Sequence, residues 1–161
     1  DLGFYKQAHQ QLQKNLDEAW AARAPEVQVK TPQEALILAS IVEKATGLGA
    51  DRALIAAVFH NRLRINMPLQ TDPTVIYGMG ERYAGNIRKK DLQTDTPYNT
   101  YTRRGLPPTP IAMAGKAALH ATLHPANTKA LYFVARGDGS SHFSDNLDAH
   151  NRAVRQFILK R

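Results

Sequence analysis

The chain has 161 residues, 43% of them hydrophobic, which is one domain's worth with enough apolar side chains for a real core and excludes a disordered chain. It has no cysteine, which excludes disulfides, thiolate metal sites and a cysteine nucleophile, and it carries no apolar run of bilayer-spanning length and no secretory signal pattern. A net charge of +7, with clusters at Arg88-Lys89-Lys90, Arg103-Arg104 and Lys160-Arg161, suits an anionic partner such as nucleic acid, lipid headgroups or a carboxylate-bearing polysaccharide, but charge alone favours an ordinary solvated surface.

Phe4, Ala8, Leu12, Leu16 and Trp20 recur at every fourth position and predict an amphipathic helix that ends before Pro25. A linker follows, with Val27 to Val29 as a candidate strand. Thr31-Pro32-Gln33-Glu34 predicts a helix start, with Thr31 as N-cap, Pro32 in the first turn and Glu34 completing a capping box; this helix should run to Thr46 and stop at Gly47. A third helix is expected from Asp51 to Arg64, with Ile55, Val58, Phe59 and Leu63 inward. Residues 66–112 are rich in Pro and Gly without long periodicity, apart from a short helix over Pro73 to Gly78, and so long a loop-rich stretch in a compact domain points to a functional region. Then come a helix from Ala114 to Leu123, a strand at Leu131 to Ala135, a glycine turn, and a returning strand at His142 to Ser144. Asn146 or Asp145 caps a last helix through Ile158, with Leu147, Val154 and Ile158 inward. The expected fold class is α+β: a mainly helical single domain over residues 1–161, lysozyme-like in size, with a small β element and a long loop-rich active-site region. Residues 1–30 form its N-terminal helix and linker, and residues 31–161 the catalytic core.

Glu43 is the first candidate for chemistry. Ala35 to Val42 is apolar around nearly the whole helix, so the helix is buried, and Glu43 falls at its C-terminal end. Partial desolvation and the negative end of the helix dipole are expected to raise a carboxyl's pKa there, as an acid that protonates a glycosidic oxygen requires. Position alone also allows, and favours, a surface glutamate paired with Lys44 or Arg52. In the second cluster, Leu69 to Gly78, Asp72 is accounted for as the N-cap before Pro73, whereas Gln70 and Tyr77 are free to reach a sugar hydroxyl or amide. In the third, Asn99 and Tyr101 lie in Pro97-Tyr98-Asn99-Thr100-Tyr101, followed by Gly105-Leu106-Pro107-Pro108. Aromatic faces beside an amide fit a carbohydrate subsite wall, and also a packed tyrosine corner. His120 and His124 have zinc-ligand spacing, but the segment lacks the glutamate of the zinc-protease motif and a third ligand, so no metal is expected. His142 is read as a core or supporting histidine.

Taken together, these segments resemble the YceG-like family of endolytic murein transglycosylases. The resemblance runs through Leu38 to Lys44, Ala57-Val58-Phe59 with Asn61-Arg62-Leu63, Leu69 to Gly78, Tyr98 to Tyr101 and Gly105 to Pro108. It continues through His124-Pro125-Ala126, Tyr132 to Ala135, His142-Phe143-Ser144 and His150-Asn151. It implies cleavage of peptidoglycan between N-acetylmuramic acid and N-acetylglucosamine without water, leaving a 1,6-anhydro-muramyl end. The family's catalytic glutamate falls on Glu43, and its polar motif positions on Gln70, Asp72, Tyr77, Asn99 and Tyr101. It further implies no metal or organic cofactor, cell-wall synthesis proteins as partners, and a site facing the periplasm from the bacterial inner membrane. The membrane anchor and LysM-like segment usual in the family are not recognised here, so the chain reads as a soluble catalytic fragment that would meet the membrane only through that missing anchor. Ala45 stands where a second glutamate is common, Thr109 where glycine is, and Asn146 where threonine is. The residues leave rivals open. A lysozyme-like hydrolase would need Asp72 or Asp95 as a second carboxylate, and a peptidoglycan-binding module would need no chemistry. A nucleic-acid binder rests on charge alone without a motif, so nucleic acid is not an expected partner. A pyridoxal-phosphate lyase would need a phosphate loop that is not found.

Overall fold

The computed structural model describes residues 2–159; Asp1 and the basic pair Lys160-Arg161 lie outside the described residues. Seven α-helices and one β-hairpin are formed: α1 Leu2–Ala21, α2 Pro32–Ala45, α3 Arg52–Arg64, α4 Asp72–Met79, α5 Lys89–Gln93, α6 Lys116–Leu123, β1 Tyr132–Ala135, β2 Ser141–Ser144 and α7 Leu147–Val154. This is the α+β, mainly helical class read from the sequence. No described helix is long and apolar enough to cross a membrane.

The core is built where α2, α3 and α6 meet. Ala35, Leu38, Ile41 and Val42 of α2 pack with Ile55, Ala56 and Phe59 of α3 and with Ala118, Ala121 and Leu123 of α6. Thr31 caps α2 as expected, accepting from the Glu34 backbone N–H at 3.1 Å. The Glu34 carboxylate reaches back one residue further than a capping box requires, to the Lys30 N–H at 3.0 Å. Ser40, in the buried centre of α2, donates to Ile37 O and accepts from the Ile111 N–H at 3.0 Å, tying the loop ahead of α6 to this helix. His60 on α3 is 1% exposed. Its Nδ1 accepts from the Gln28 N–H at 3.0 Å, so Nε2 carries the proton that meets Thr122 O at 2.7 Å. That contact ties Gln28 to α3, and the candidate strand over Val27 to Val29 does not form.

The hairpin pairs antiparallel, Tyr132 opposite Ser144 and Ala135 opposite Ser141. Phe133 of β1 meets Phe59 edge to face at 5.9 Å and so ties the hairpin to the helical core. Helix α7 packs on the hairpin, with Asn146 as its N-cap accepting from the Ala149 N–H at 2.9 Å.

Three further expectations change in the helices. Of the α1 stripe, Leu16 is buried and Ala19 and Trp20 pack on the core, but Phe4 is 73% and Leu12 57% exposed, because neighbours cover only the last turns. In the last helix the inward residue is Ala153, while Leu147 is 53% and Ile158 37% exposed. Residues Arg155–Leu159 form a π-helical turn, whose wider winding moves Ile158 off the face predicted from an α-helical repeat. The loop-rich stretch, finally, contains a helix that periodicity did not reveal, the one-turn α5.

Candidate active site

The C-terminal end of α2 lies between two surfaces. On one, Glu43 is half-buried and its Oε1 accepts from the Gly115 N–H at 2.8 Å; among the described residues nothing hydrogen-bonds Oε2. Gly115 is the N-cap residue of α6, so an otherwise unpaired donor of a helix start is spent on this carboxylate. The approach is close: a Cβ on Gly115 would stand 3.2 Å from Oε1.

On the other side opens a groove of about 610 Å³, walled by Lys44 and Ala45 of α2, Gln70 to Pro73, Tyr101, Tyr132 and Phe133 of β1, and Leu147, His150 and Asn151 of α7, with Arg62 among its lining residues. Gln70 is exposed at its rim with φ +50°, a left-handed conformation that non-glycine residues adopt at a cost. Helix α4 begins one residue earlier than predicted, with Thr71 as N-cap. Asp72 therefore does not cap; its Oδ1 accepts the Tyr101 phenol proton at 2.6 Å. Burial, then the hydrogen bond to Asp72 and its charge, push the Tyr101 phenol far above its ordinary value, so Tyr101 is a fixed donor.

Asn99 and Tyr77 are placed differently. Asn99 is 1% exposed, beneath the groove wall. Its Nδ2 donates to Leu92 O and Thr94 O, and its Oδ1 accepts from the backbone N–H groups of Tyr101 and Thr102. All of its side-chain bonding goes to backbone, and it shapes the turn that presents Tyr101. Tyr77 is 47% exposed, outside the groove, its ring tilted against Tyr98 at 4.7 Å. Gly78 permits this contact, because a Cβ there would stand 2.6 Å from Thr96 Oγ1. Thr109 anchors the same corner through Tyr98 Oη at 2.8 Å. The structure thus brings Gln70, Asp72 and Tyr101 into one groove, with Asn99 under it and Tyr77 beyond it, while Glu43 precedes the groove-lining Lys44 and turns to Gly115.

Asp95, one of the two carboxylates a hydrolase could use, is gripped by both nitrogens of an Arg103 fork at 3.0 Å and by Thr102. The Arg103 hydrogen bonds, then that of Thr102, depress its pKa to about 2, so it is a fixed anion. His120 and His124 stack at 4.6 Å, and no group of three or more metal-ligating side chains is found among the described residues. His142 on β2 faces the Phe157 ring at 5.6 Å.

Four groups at the site had no role assigned from sequence: Gly115, Arg62, Tyr132 and His150. Arg62 is 6% exposed, an arginine inside the buried run of α3, and that placement was the one signal available. Its Nε donates to Leu131 O at 2.7 Å and its Nη1 to Pro68 O and Leu69 O at 3.1 and 3.0 Å. Tyr132 lies under its guanidinium at 5.2 Å and stacks on His150 at 4.9 Å. Burial lowers the pKa of both Arg62 and His150, and the Arg62 charge lowers that of His150 further.

The sequence profile of the YceG-like family matches residues 2–156. An endolytic murein transglycosylase of Bacillus subtilis (strain 168) is 47% identical over 123 residues, which are 76% of this chain and 34% of that protein. One from Streptococcus pneumoniae serotype 2 (strain D39) is 35% identical over 133 residues, 80% of this chain and 24% of that one. The crystal structure of a yceG-like protein from Listeria monocytogenes superposes with a TM-score of 0.71 at 44% identity, covering 75% of this chain and 39% of the other. The chain therefore spans about a third or less of the curated relatives it matches. A profile match across nearly the whole chain places the motifs around α2, α4 and the hairpin in one lineage, and this chain belongs to the YceG-like family.

Proposed function

We propose that this chain is the catalytic part of an endolytic peptidoglycan lytic transglycosylase, with Glu43 as its acid and then its base. The observation that carries the proposal is the state of Glu43: a half-buried carboxyl at the end of a buried helix, oriented through one oxygen by the Gly115 N–H, with the other unbonded among the described residues, and followed in the chain by Lys44 and Ala45, which line a polar groove.

The glycan strand would cross the C-terminal end of α2. Protonated Glu43 gives its proton to the oxygen of the MurNAc-GlcNAc β-1,4 bond, and that bond breaks with positive charge developing at the muramyl C1. The ionised Glu43 then takes the proton from the C6 hydroxyl of the same sugar, whose oxygen closes on C1. The products are a GlcNAc end and a 1,6-anhydro-MurNAc end. Water is not consumed, so one carboxyl suffices. Gln70 is free to bond a sugar hydroxyl or acetamido group, and the Tyr101–Asp72 pair is a rigid polar edge for the same purpose. Asn99 acts through Tyr101, and exposed Tyr77 offers a ring face further along the strand. The chemistry calls for no metal or organic cofactor.

The relatives' names support this reading, as does the family profile over residues 2–156, a span that includes every segment building the site. We place the activity at the outer face of the bacterial inner membrane, on peptidoglycan strands and beside cell-wall synthesis proteins. The test is the chemistry of the new ends. Digestion of purified glycan strands by this chain is expected to release fragments 18 Da lighter than hydrolytic products and not reducible by borohydride. Reducible ends would replace the proposal with a hydrolase.

A further inference from the structure

Arg62 is bound more tightly than a solvated surface arginine and is neutralised by nothing. It is 6% exposed, its Nε and Nη1 are spent on three backbone carbonyls, and no carboxylate pairs with it among the described residues. A buried cation left without a counter-ion is costly, and an anionic ligand group would relieve that cost. Its remaining nitrogen, Nη2, has no partner among the described residues and is not sealed off as a buried orphan, and the residue lines the groove.

Two further groups in the groove agree with this. The Nδ1 of His150 is buried and has no partner among the described residues. Tyr132 touches both, with the Arg62 guanidinium 5.2 Å from its ring centre and the His150 ring stacked on it at 4.9 Å. The carboxylate among the groove's lining residues, Asp72, is already engaged by Tyr101. Lys44 adds a second cation at the rim. The groove therefore holds fixed positive charge, an open donor at Arg62 Nη2 and an aromatic ring against it.

We propose that this groove reads a carboxylate on the muramyl side arm, with Arg62 Nη2 as its principal donor and His150 beside it. The inference rests on the glycan reading above and names the feature of the substrate that the groove selects. Two sources supply that group: the lactyl carboxylate of a stripped muramyl residue, or a carboxylate of the attached stem peptide.

The test uses the unaltered protein and changes the ligand, because Arg62 also holds β1 and the Pro68-Leu69 loop in place. A GlcNAc-MurNAc disaccharide and its stem-peptide form are each titrated as free acid and as methyl ester. Binding is followed by NMR at the Arg62 Nε–H and the backbone amides of His150 and Asn151. The acid is expected to shift these signals and to bind about tenfold more tightly than the ester, the difference between a charged and a neutral acceptor. A preference confined to the bare sugar assigns the lactyl group, and one confined to the peptide form assigns the stem. Equal affinity of acid and ester, or shifts that spare Arg62, overturns the inference and leaves the glycan reading standing. No binding of any of the four sugars overturns both.

Discussion

Replacing Gly115 with Ala separates the alignment of Glu43 from the stability of the fold. Gly115 has φ −76° and ψ 171°, a conformation any residue adopts, so the backbone N–H stays where it is. The new Cβ stands 3.2 Å from Glu43 Oε1 against an ordinary contact distance of about 3.5 Å, so the carboxylate must retreat by a few tenths of an ångström. The N–H bond of 2.8 Å lengthens or bends as a result. A displacement of that size in the group that transfers the proton is expected to lower kcat by roughly three- to thirtyfold, on the scale by which a misplacement of about 1 Å costs about a hundredfold. Stability should stay within about 1 kcal/mol, since the loss of glycine's unfolded-state freedom favours alanine and the N-cap preference favours glycine. Single-turnover release of anhydro ends, measured beside urea denaturation, gives both numbers. Unchanged kcat in a variant of unchanged stability would refute the claim that the Gly115 contact aligns the acid.

Three other predictions concern the supports of the site. Asn99→Ala leaves the Tyr101 and Thr102 N–H groups and two carbonyls without their partner, and should cost at least about 2 kcal/mol in urea denaturation; a loss below about 0.5 kcal/mol would contradict the support role. The Asp95 carboxyl should titrate by carbon NMR with a midpoint of about 2, so the stabilisation from its Arg103 pairing is full above the ordinary Asp pKa and fades as the pH falls toward 2. An ordinary Asp midpoint would show that the pairing does not persist in solution. His60 is buried neutral, with a pKa lowered first by desolvation, so the unfolded chain binds its proton more readily than the folded one. Stability should therefore fall as the pH drops below the ordinary value of 6.5, and His60→Gln should flatten that part of the profile; an unaltered slope would argue against it.

What the sequence disclosed followed the strength of local signals. Thr31-Pro32-Gln33-Glu34 fixes the start of α2 through its own hydrogen bonds, so the helix and its buried face were legible before any tertiary contact was known. The hairpin was legible because its apolar strand and glycine turn are local too. Tertiary choices were not. The stripe on α1 is a real amphipathic pattern, yet among the described residues Phe4 and Leu12 stay mostly exposed. Ile158 leaves its predicted face because the last turn widens, which no apolar repeat records. Asn99 has the composition of a sugar reader and the geometry of a buried strut, and only its partners tell the two apart. Gly115 acts through a backbone N–H, which carries no side-chain signal. Arg62 was visible as a charge in an apolar run, but its groove is assembled from segments distant in the chain.

The measurement that bears most directly on the account is the digestion of purified peptidoglycan strands by the wild-type chain and by Glu43→Gln, with the end groups read by mass spectrometry. Glutamine matches glutamate in size and its Oε1 can still accept the Gly115 N–H, so the variant should fold as the wild type does and yield no anhydro-muramyl ends, while the wild type yields them in quantity. Undiminished release of anhydro ends by a folded Glu43→Gln variant would contradict the assignment of Glu43 as the acid and base.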